Sequence, residues 1–298
     1  MNRKIRQLKL EFFYLRRAFF EYKKLGRYLY NRFFLAPQIL KSDKIFEKPI
    51  NNSDLSIHLL TCHRDLIMTI WSLKSFYKVA REVGQLYVHD DDSLTAKDKK
   101  IINKFFPKAI IVEPREVLKK NYLAQYPLMK KFRENEDYFL LKKIIDTYFL
   151  SDKRIHLIID SDLLWFETPE EVMAEIKNDC QNSLMMANNS FSHVYFKQGE
   201  ELAMELANYN SGIVLYKKDN FDLPKMEEYL SRVDEQNKKN AHFIEQGGFA
   251  FCLHNLKKLD EKKYIIKEMM NEETVVKHYT SPRRPLFYIE GLEKIKKL

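Results

Sequence analysis

Asp160 and Asp162 are the side chains whose type and spacing most plainly suggest chemistry in this 298-residue chain. They close the apolar run Ile155-His156-Leu157-Ile158-Ile159, with only Ser161 between them. Carboxylates that close repel each other unless a cation sits between them. The natural occupant is a divalent ion carrying a phosphate-bearing ligand, because Mg²⁺ and Mn²⁺ take one or two carboxylates and complete their shells with substrate oxygens. The competing reading is a polar turn in which Asp160 caps the next turn. The run itself is short, β-rich and not amphipathic, as a central strand covered on both faces is. Ligands of open α/β sheets bind beyond the carboxyl ends of such strands.

The elements needed to position such a site are present. From Leu55 onward strands and helices alternate. Residues 56–62, 85–89, 109–112 and 155–159 read as strands. Residues 65–77, the segment opening at Thr95 and most of 115–149 read as helices. Thr95-Ala96-Lys97-Asp98 has the form of a capping box. Thr168-Pro169-Glu170-Glu171 opens another helix, with Thr168 as N-cap and Pro169 in the first turn. Alternation of this kind predicts βαβ units and a mainly parallel, Rossmann-type α/β sheet flanked by helices. Strands at 183–187, 210–216 and 275–279 follow, with helices at 224–232 and 242–253 between them.

The amino-terminal segment is different in kind. Residues 1–40 carry ten Lys/Arg against two Glu, so +8 of the net +9 charge resides there, together with ten aromatic residues. Leu8, Phe12, Leu15, Phe19 and Tyr22 recur at helical spacing and mark one face. Pro37 ends the segment and 41–54 reads as a connector. The chain therefore divides into a basic, aromatic helical extension over 1–50 and an α/β domain over 51–298. The body is nearly neutral, which turns the reading away from nucleic acid as a partner, and an RNA-binding arm ranks third. A mixture of aromatics with long basic side chains suits an anionic membrane interface. A helix packed on the body or on a second subunit is the equal alternative. Cys62, Cys180 and Cys252 are odd in number and lack CxxC spacing, which points to a reducing compartment and no structural zinc. No apolar run is long enough to span a bilayer, and no signal-peptide pattern opens the chain. The expected location is cytoplasmic, peripheral on the inner face of a membrane. Glycine-rich dinucleotide and phosphate-loop motifs, GxSxG and HExxH are all missing. A phosphatase of the haloacid dehalogenase type wants a small polar or β-branched residue where this chain has Leu164.

At four separated places between Ser56 and Tyr288 the chain resembles nucleotide-sugar glycosyltransferases of the GT-A fold, in particular the glycogenin and lipopolysaccharide galactosyltransferase group. The first is the opening strand with its long helix. The second is Asp160-Ser161-Asp162 after a hydrophobic strand. The third is the turn and strand Asn210-Ser211-Gly212-Ile213. The last is His278-Tyr279, followed by the basic loop Ser281-Pro282-Arg283-Arg284-Pro285.

The resemblance implies that Asp160, Asp162 and His278 hold Mn²⁺ (or Mg²⁺), with Asp160 also near the ribose. The residue-level alternative for His278 is a core-edge histidine bonded to backbone. Two hard oxygens and one borderline nitrogen do suit Mn²⁺. Glu245 and Gln246 stand where the family often has an Asp-Gln pair and would act on donor sugar or acceptor hydroxyl; a helix-surface Glu is the alternative. The late loop lacks the family's glycine, yet Arg283 or Arg284 would pair with the diphosphate. Thr61 and Arg64 would contact base or ribose. Asp90, in the run Asp90 to Asp92, would bond the base edge unless it belongs to a solvated acidic turn. Lys142 or Lys143 would reach a phosphate unless both are surface lysines. Asn188 and Asn189, with Asn210, would line the sugar pocket. The implied activity is metal-dependent transfer of a sugar from a nucleoside-diphosphate sugar, a UDP-sugar, to a hydroxyl of a glycan or lipid-linked acceptor, with retention of configuration. Alternatives are a nucleotidyltransferase on a related fold, for which residues 56–66 lack the glycine-rich signature, or a non-catalytic membrane-associated binding module.

Overall fold

Alternate residues of the run 155–159 serve two different cores. Ile155, Leu157 and Ile159 enter one hydrophobic cluster and Ile158 enters a second, so both faces of this strand are covered. The computed structural model describes residues 3–188, 191–234, 236–237, 241–267 and 269–297. The strands are β1 (Leu55–Thr61), β2 (Gln85–Asp90), β3 (Ile110–Val112), β4 (Ile155–Asp160), β5 (Leu163–Trp165), β6 (Ser183–Ala187), β7 (Tyr209–Lys217), β8 (Leu256–Leu259), β9 (Tyr264–Ile265) and β10 (Val276–His278). Seven of them form one sheet in the order β3-β2-β1-β4-β7-β6-β8. Only β7 runs against the rest, antiparallel to both β4 and β6, so the sheet is mainly parallel. The first cluster holds the Leu66–Val79 and Ala96–Phe105 helices; the second holds Lys142–Phe149, Leu223–Arg232 and Ala241–Cys252.

Register explains the geometry at the sheet's upper edge. Leu60 of β1 lies opposite Asp160, and Thr61 lies opposite Asp90 of β2, so three parallel strands end together. Because β7 is antiparallel, its amino end arrives at that same edge, with Ile213 opposite Ile159. Asn210 and Ser211 are thereby delivered beside Asp160. Strand β5 starts immediately past Asp162 and joins a second sheet of order β5-β10-β9. There Leu163 pairs with His278, and the Tyr279 N–H donates to the Asp162 carbonyl at 2.9 Å.

Two local expectations need correction. Thr95 and Asp98 do form a reciprocal capping box, but Thr168 does not cap its helix. Its hydroxyl instead donates to the Val79 carbonyl at 3.1 Å, and the Glu170–Lys177 helix starts without a side-chain cap. The amino-terminal segment is helical in two arms, Arg3–Arg16 extended by a π-type turn over Arg17–Glu21, then Leu25–Tyr30. The expected single face splits: Leu8, Phe12 and Phe19 face outward, at 70%, 70% and 54% exposure, whereas Leu15 and Tyr22 are half-buried against the first core cluster. The inward face is Tyr14 and Ala18, flanked by Leu10, and with Tyr28, Ala36 and Ile39 it joins the first core cluster. Helical spacing groups these residues without saying where packing divides them between core and solvent. No described helix is long and apolar enough to cross a membrane.

Candidate active site

The carboxyl end of β4, the amino end of β7 and the end of β10 converge on one group of charged side chains. The His278 Nε2 lies 3.0 Å from Asp162 Oδ1 and 3.3 Å from Asp160 Oδ2. Its other ring nitrogen, Nδ1, lies 2.9 Å from Asn210 Oδ1, which also accepts from the Gly212 N–H at 2.9 Å. Asn210 Oδ1 can only accept, so Nδ1 carries hydrogen and Nε2 is the nitrogen turned toward the carboxylates. Gly212 is required here: a Cβ would lie 2.4 Å from His278 Nδ1.

One ligand atom from each of Asp160, Asp162 and His278 fits within a mutual separation of 4.8 Å. Cis ligands of an octahedral ion at about 2.1 Å would stand about 3 Å apart, close to the 3.0 and 3.3 Å seen. The donor set fits Mn²⁺ or Mg²⁺ in number, hardness and spacing. In the protein alone the His278 proton takes the cation's place between the carboxylates. Burial alone would lower this imidazole's pKa, yet Asp162 and then Asp160 hold it up at about 9.

Each aspartate has a second cationic partner. Lys143 Nζ pairs with Asp160 Oδ1 at 2.7 Å and with Glu245 Oε1 at 3.2 Å, and donates to the Ser211 carbonyl at 2.9 Å. Burial opposes Asp160's charge, but Lys143 and His278 bring its pKa down to about 2. Glu245 accepts from Ser211 Oγ at 2.7 Å. For Glu245 burial wins over Lys143 and pushes the carboxyl up to about 7, with Asp160 adding to the rise. Arg284 spans the far side: its guanidinium donates to Asp162 Oδ2 at 3.2 Å and to Asp65 Oδ1 at 2.8 Å. Burial opposes Asp65's charge as well, yet Arg284 and Arg64 bring its pKa to about 2. Asp160 alone of the three candidate ligands keeps substantial solvent access, at 25%.

The other sequence candidates are placed as follows. Gln246 is buried, and its Oε1 accepts from Ser192 Oγ at 3.1 Å. Arg64 pairs with Asp65 at 2.9 Å and so stands beside Arg284. Thr61 is turned into the helix behind it, its hydroxyl 2.5 Å from that of Thr69. Asp90 accepts backbone N–H groups from Asp92, Ser93 and Leu94 at 2.9 to 3.1 Å, so its carboxylate organises its own turn. Lys142 and Lys143 are both buried, not surface lysines; Lys142 sits near Arg133, Asp146 and the Asp91–Asp92 turn. Arg283 donates to Thr280 within its own loop at 3.1 Å, and Arg284 is the arginine that enters the group. Asn188 bonds through its backbone N–H to the Asn208 carbonyl at 2.8 Å. Asn189 lies outside the described residues. Asp65 and Ser211 join the group although their chemistry does not single them out in sequence. The one signal for Asp65 is its place just beyond the end of β1.

No sequence-family model matches the chain, and no curated protein matches it by sequence. Its structure is similar to that of mouse xyloside xylosyltransferase 1 in the apo form, with a TM-score of 0.51 and 11% identity over 78% of this chain and 98% of that one. A galactosyltransferase, LgtC, in complex with donor and acceptor sugar analogues also matches, with a TM-score of 0.49 and 11% identity over 82% of this chain and 96% of that one. The first likeness covers nearly all of its counterpart and gives this chain the GT-A fold. The mixed, mainly parallel sheet expected from the sequence is that fold's sheet.

Proposed function

We infer that the chain is a metal-dependent glycosyltransferase acting from a nucleoside-diphosphate sugar, a UDP-sugar, onto a hydroxyl of a glycan or lipid-linked acceptor. The observation that carries this reading is the convergence of Asp160, Asp162 and His278 at the carboxyl end of β4, with one ligand atom of each within 4.8 Å of the others. When bound there, Mn²⁺ or Mg²⁺ would offset charge developing on the leaving diphosphate.

The chain's own residues have separable tasks. His278 must give up its Nε2 proton to become a ligand, while Asn210 keeps the Nδ1 hydrogen and holds the ring's orientation. Arg284 carries a fixed positive charge, and Asp65 holds it beside the proposed metal ligands. Such a guanidinium suits bidentate recognition of a diphosphate. Lys143 neutralises Asp160 from the side away from His278 and orients Glu245. Glu245, poised near neutral pH, is placed to bond a donor sugar hydroxyl or accept the acceptor's proton. Retention of configuration, which the resemblance to the glycogenin and lipopolysaccharide galactosyltransferase group implies, is part of the proposal; Glu245 acting as base on the acceptor would instead give inversion.

The test is thermal unfolding with Mn²⁺ and UDP, followed by a panel of nucleotide sugars scored by donor hydrolysis. The wild-type protein gains several degrees with the pair, and Asp162→Ala removes the gain. No gain with any nucleoside diphosphate refutes donor binding; a gain without hydrolysis of any donor refutes the enzyme reading.

A further inference from the structure

The outward stripe of the amino-terminal arms has no cover. Leu8, Phe12 and Phe19 are spaced by four and seven residues and so share one side of the first arm. At the end of the second arm and in the π-type turn Asn31–Leu35 that continues it, Tyr30, Phe33 and Phe34 are 59%, 55% and 65% exposed, and Tyr30 stacks on Phe34 at 6.1 Å. With Phe13 and Phe20, half of the 16 large hydrophobic side chains exposed among the described residues fall in this short segment. Exposed apolar side chains concentrated in this way mark an interaction site.

The inner side is fixed to the body. Asn31 donates to the Tyr288 carbonyl at 2.6 Å, Arg27 pairs with Glu293 at 3.1 Å, and Tyr14 OH meets Ser281 Oγ at 3.1 Å. Outward-facing charge is left over. Arg17, Arg27 and Arg32 have carboxylate partners. Among the described residues no carboxylate pairs with Lys9, Arg16, Lys23 or Lys24, all exposed beside the aromatic stripe.

We propose that this aromatic and basic face docks on an anionic lipid bilayer. The aromatics enter the headgroup boundary, and the unpaired lysines and arginine meet lipid phosphates. Charge complementarity selects this occupant: a second copy of the chain would bring a face of the same sign, which repels. Because Tyr14 touches the loop that carries Arg284, docking would also hold the candidate active site close to the membrane. The proposal does not depend on the transfer reading.

The experiment is vesicle flotation of the full chain at low salt, with vesicles of about one-third phosphatidylglycerol in phosphatidylcholine compared with phosphatidylcholine alone. Partitioning onto the anionic vesicles is expected to exceed the neutral ones at least tenfold. Phe12→Ser with Phe19→Ser, and separately Lys9→Gln with Arg16→Gln, are each expected to lower it at least tenfold. All four side chains are exposed, and an unchanged thermal melt checks the fold. Equal partitioning of variants and wild type overturns the proposal. So does equal binding to neutral and anionic vesicles. A dimer in sedimentation that Phe12→Ser with Phe19→Ser dissolves, without vesicle binding, reassigns the face to a second copy. Binding to an RNA oligonucleotide without vesicle binding also overturns it. The Mn²⁺ and UDP thermal gain is read on the same samples, so loss of flotation with that gain intact leaves the transfer reading standing.

Discussion

Buried histidines in the molecule's two sheets are driven in opposite directions. In the middle of the seven-stranded sheet, His58 stacks on His156 at 5.2 Å, His156 stacks on Tyr216 at 5.1 Å, and His58 Nδ1 meets His89 Nε2 at 2.9 Å. These strands alternate an aliphatic side with an imidazole and tyrosine side, so the row crosses four neighbouring strands. Burial is the main cause that pushes His89 and His156 down to about 3, and the nearby cations are Arg133 and Lys142 for the first and Lys218 for the second. On β10 of the three-stranded sheet His278 is equally buried, but two aspartates bring it up to about 9. Depth does not separate the two sets; the sign of the surrounding charge does. A neutral, stacked row is architecture, whereas a charged imidazole between carboxylates is a group held ready to exchange its proton for a cation.

The middle row carries the largest expected effect. A folded pKa below the unfolded one gives stability that is complete above the unfolded value and lost as pH falls through the folded one. For His156 that window runs from 6.5 down to about 3, worth up to about 5 kcal/mol. His156→Phe keeps the stacking surface between His58 and Tyr216 and removes the titration. Its acid-unfolding midpoint, followed by circular dichroism, is expected to move to lower pH. An unchanged midpoint would break the comparison on its neutral side.

His278 comes next and has the opposite sign. Its raised pKa gives stability that is complete below 6.5 and lost as pH rises through about 9, worth about 3 kcal/mol. The melting temperature of metal-free protein should therefore decline between pH 7 and 10. His278→Gln should flatten that decline, and a parallel decline in both proteins would remove His278 as its cause. Mn²⁺ affinity should also rise with pH over the same range, since the ligand must lose its proton.

Glu245 sharpens the comparison from a third position, a buried carboxyl beside both a cation and an anion. Its raised pKa gives stability that is complete below 4.5 and lost as pH rises through about 7. Replacement by Gln is expected to stabilise the protein at pH 8 by about 1–2 kcal/mol and to leave it unchanged at pH 5, while donor hydrolysis falls. Destabilisation at pH 8 would mean that Lys143 depends on Glu245 more than burial opposes it.

Much of the site's edge is legible in the sequence because it is local. An apolar run ending in two carboxylates and a short strand ending in His278 are each readable within ten residues. What is not legible is long-range or depends on rotation. Nothing local says that β7 enters antiparallel and so brings Asn210 and Ser211 to Asp160. Lys142 and Lys143 are neighbours in sequence but about 100° apart on a helix, and only packing selects Lys143. The same holds for Arg283 and Arg284 in their loop. Asp65 looks like an ordinary helix-start residue until Arg284, from the far end of the chain, reaches it. The outward stripe of the first arm follows the same logic, since periodicity gives a face and tertiary packing gives its direction.

Lys23 offers the smallest effect and the cleanest control. It sits between the two arms at φ +51°, and the next residue's N–H donates back to the Ala18 carbonyl at 2.9 Å. That closure is the helix-ending turn that favours glycine in the left-handed region. A side chain there costs about 1–2 kcal/mol, while glycine's extra freedom in the unfolded chain returns about 0.4–1 kcal/mol of that. Lys23→Gly is therefore expected to stabilise by about 0–1.6 kcal/mol, seen as a small rise in melting temperature. This gain is conformational, so it should be the same at pH 4, 7 and 10. A gain that varies with pH would mean that the arm's charge reaches the buried histidines, and local charge would no longer account for their opposite shifts.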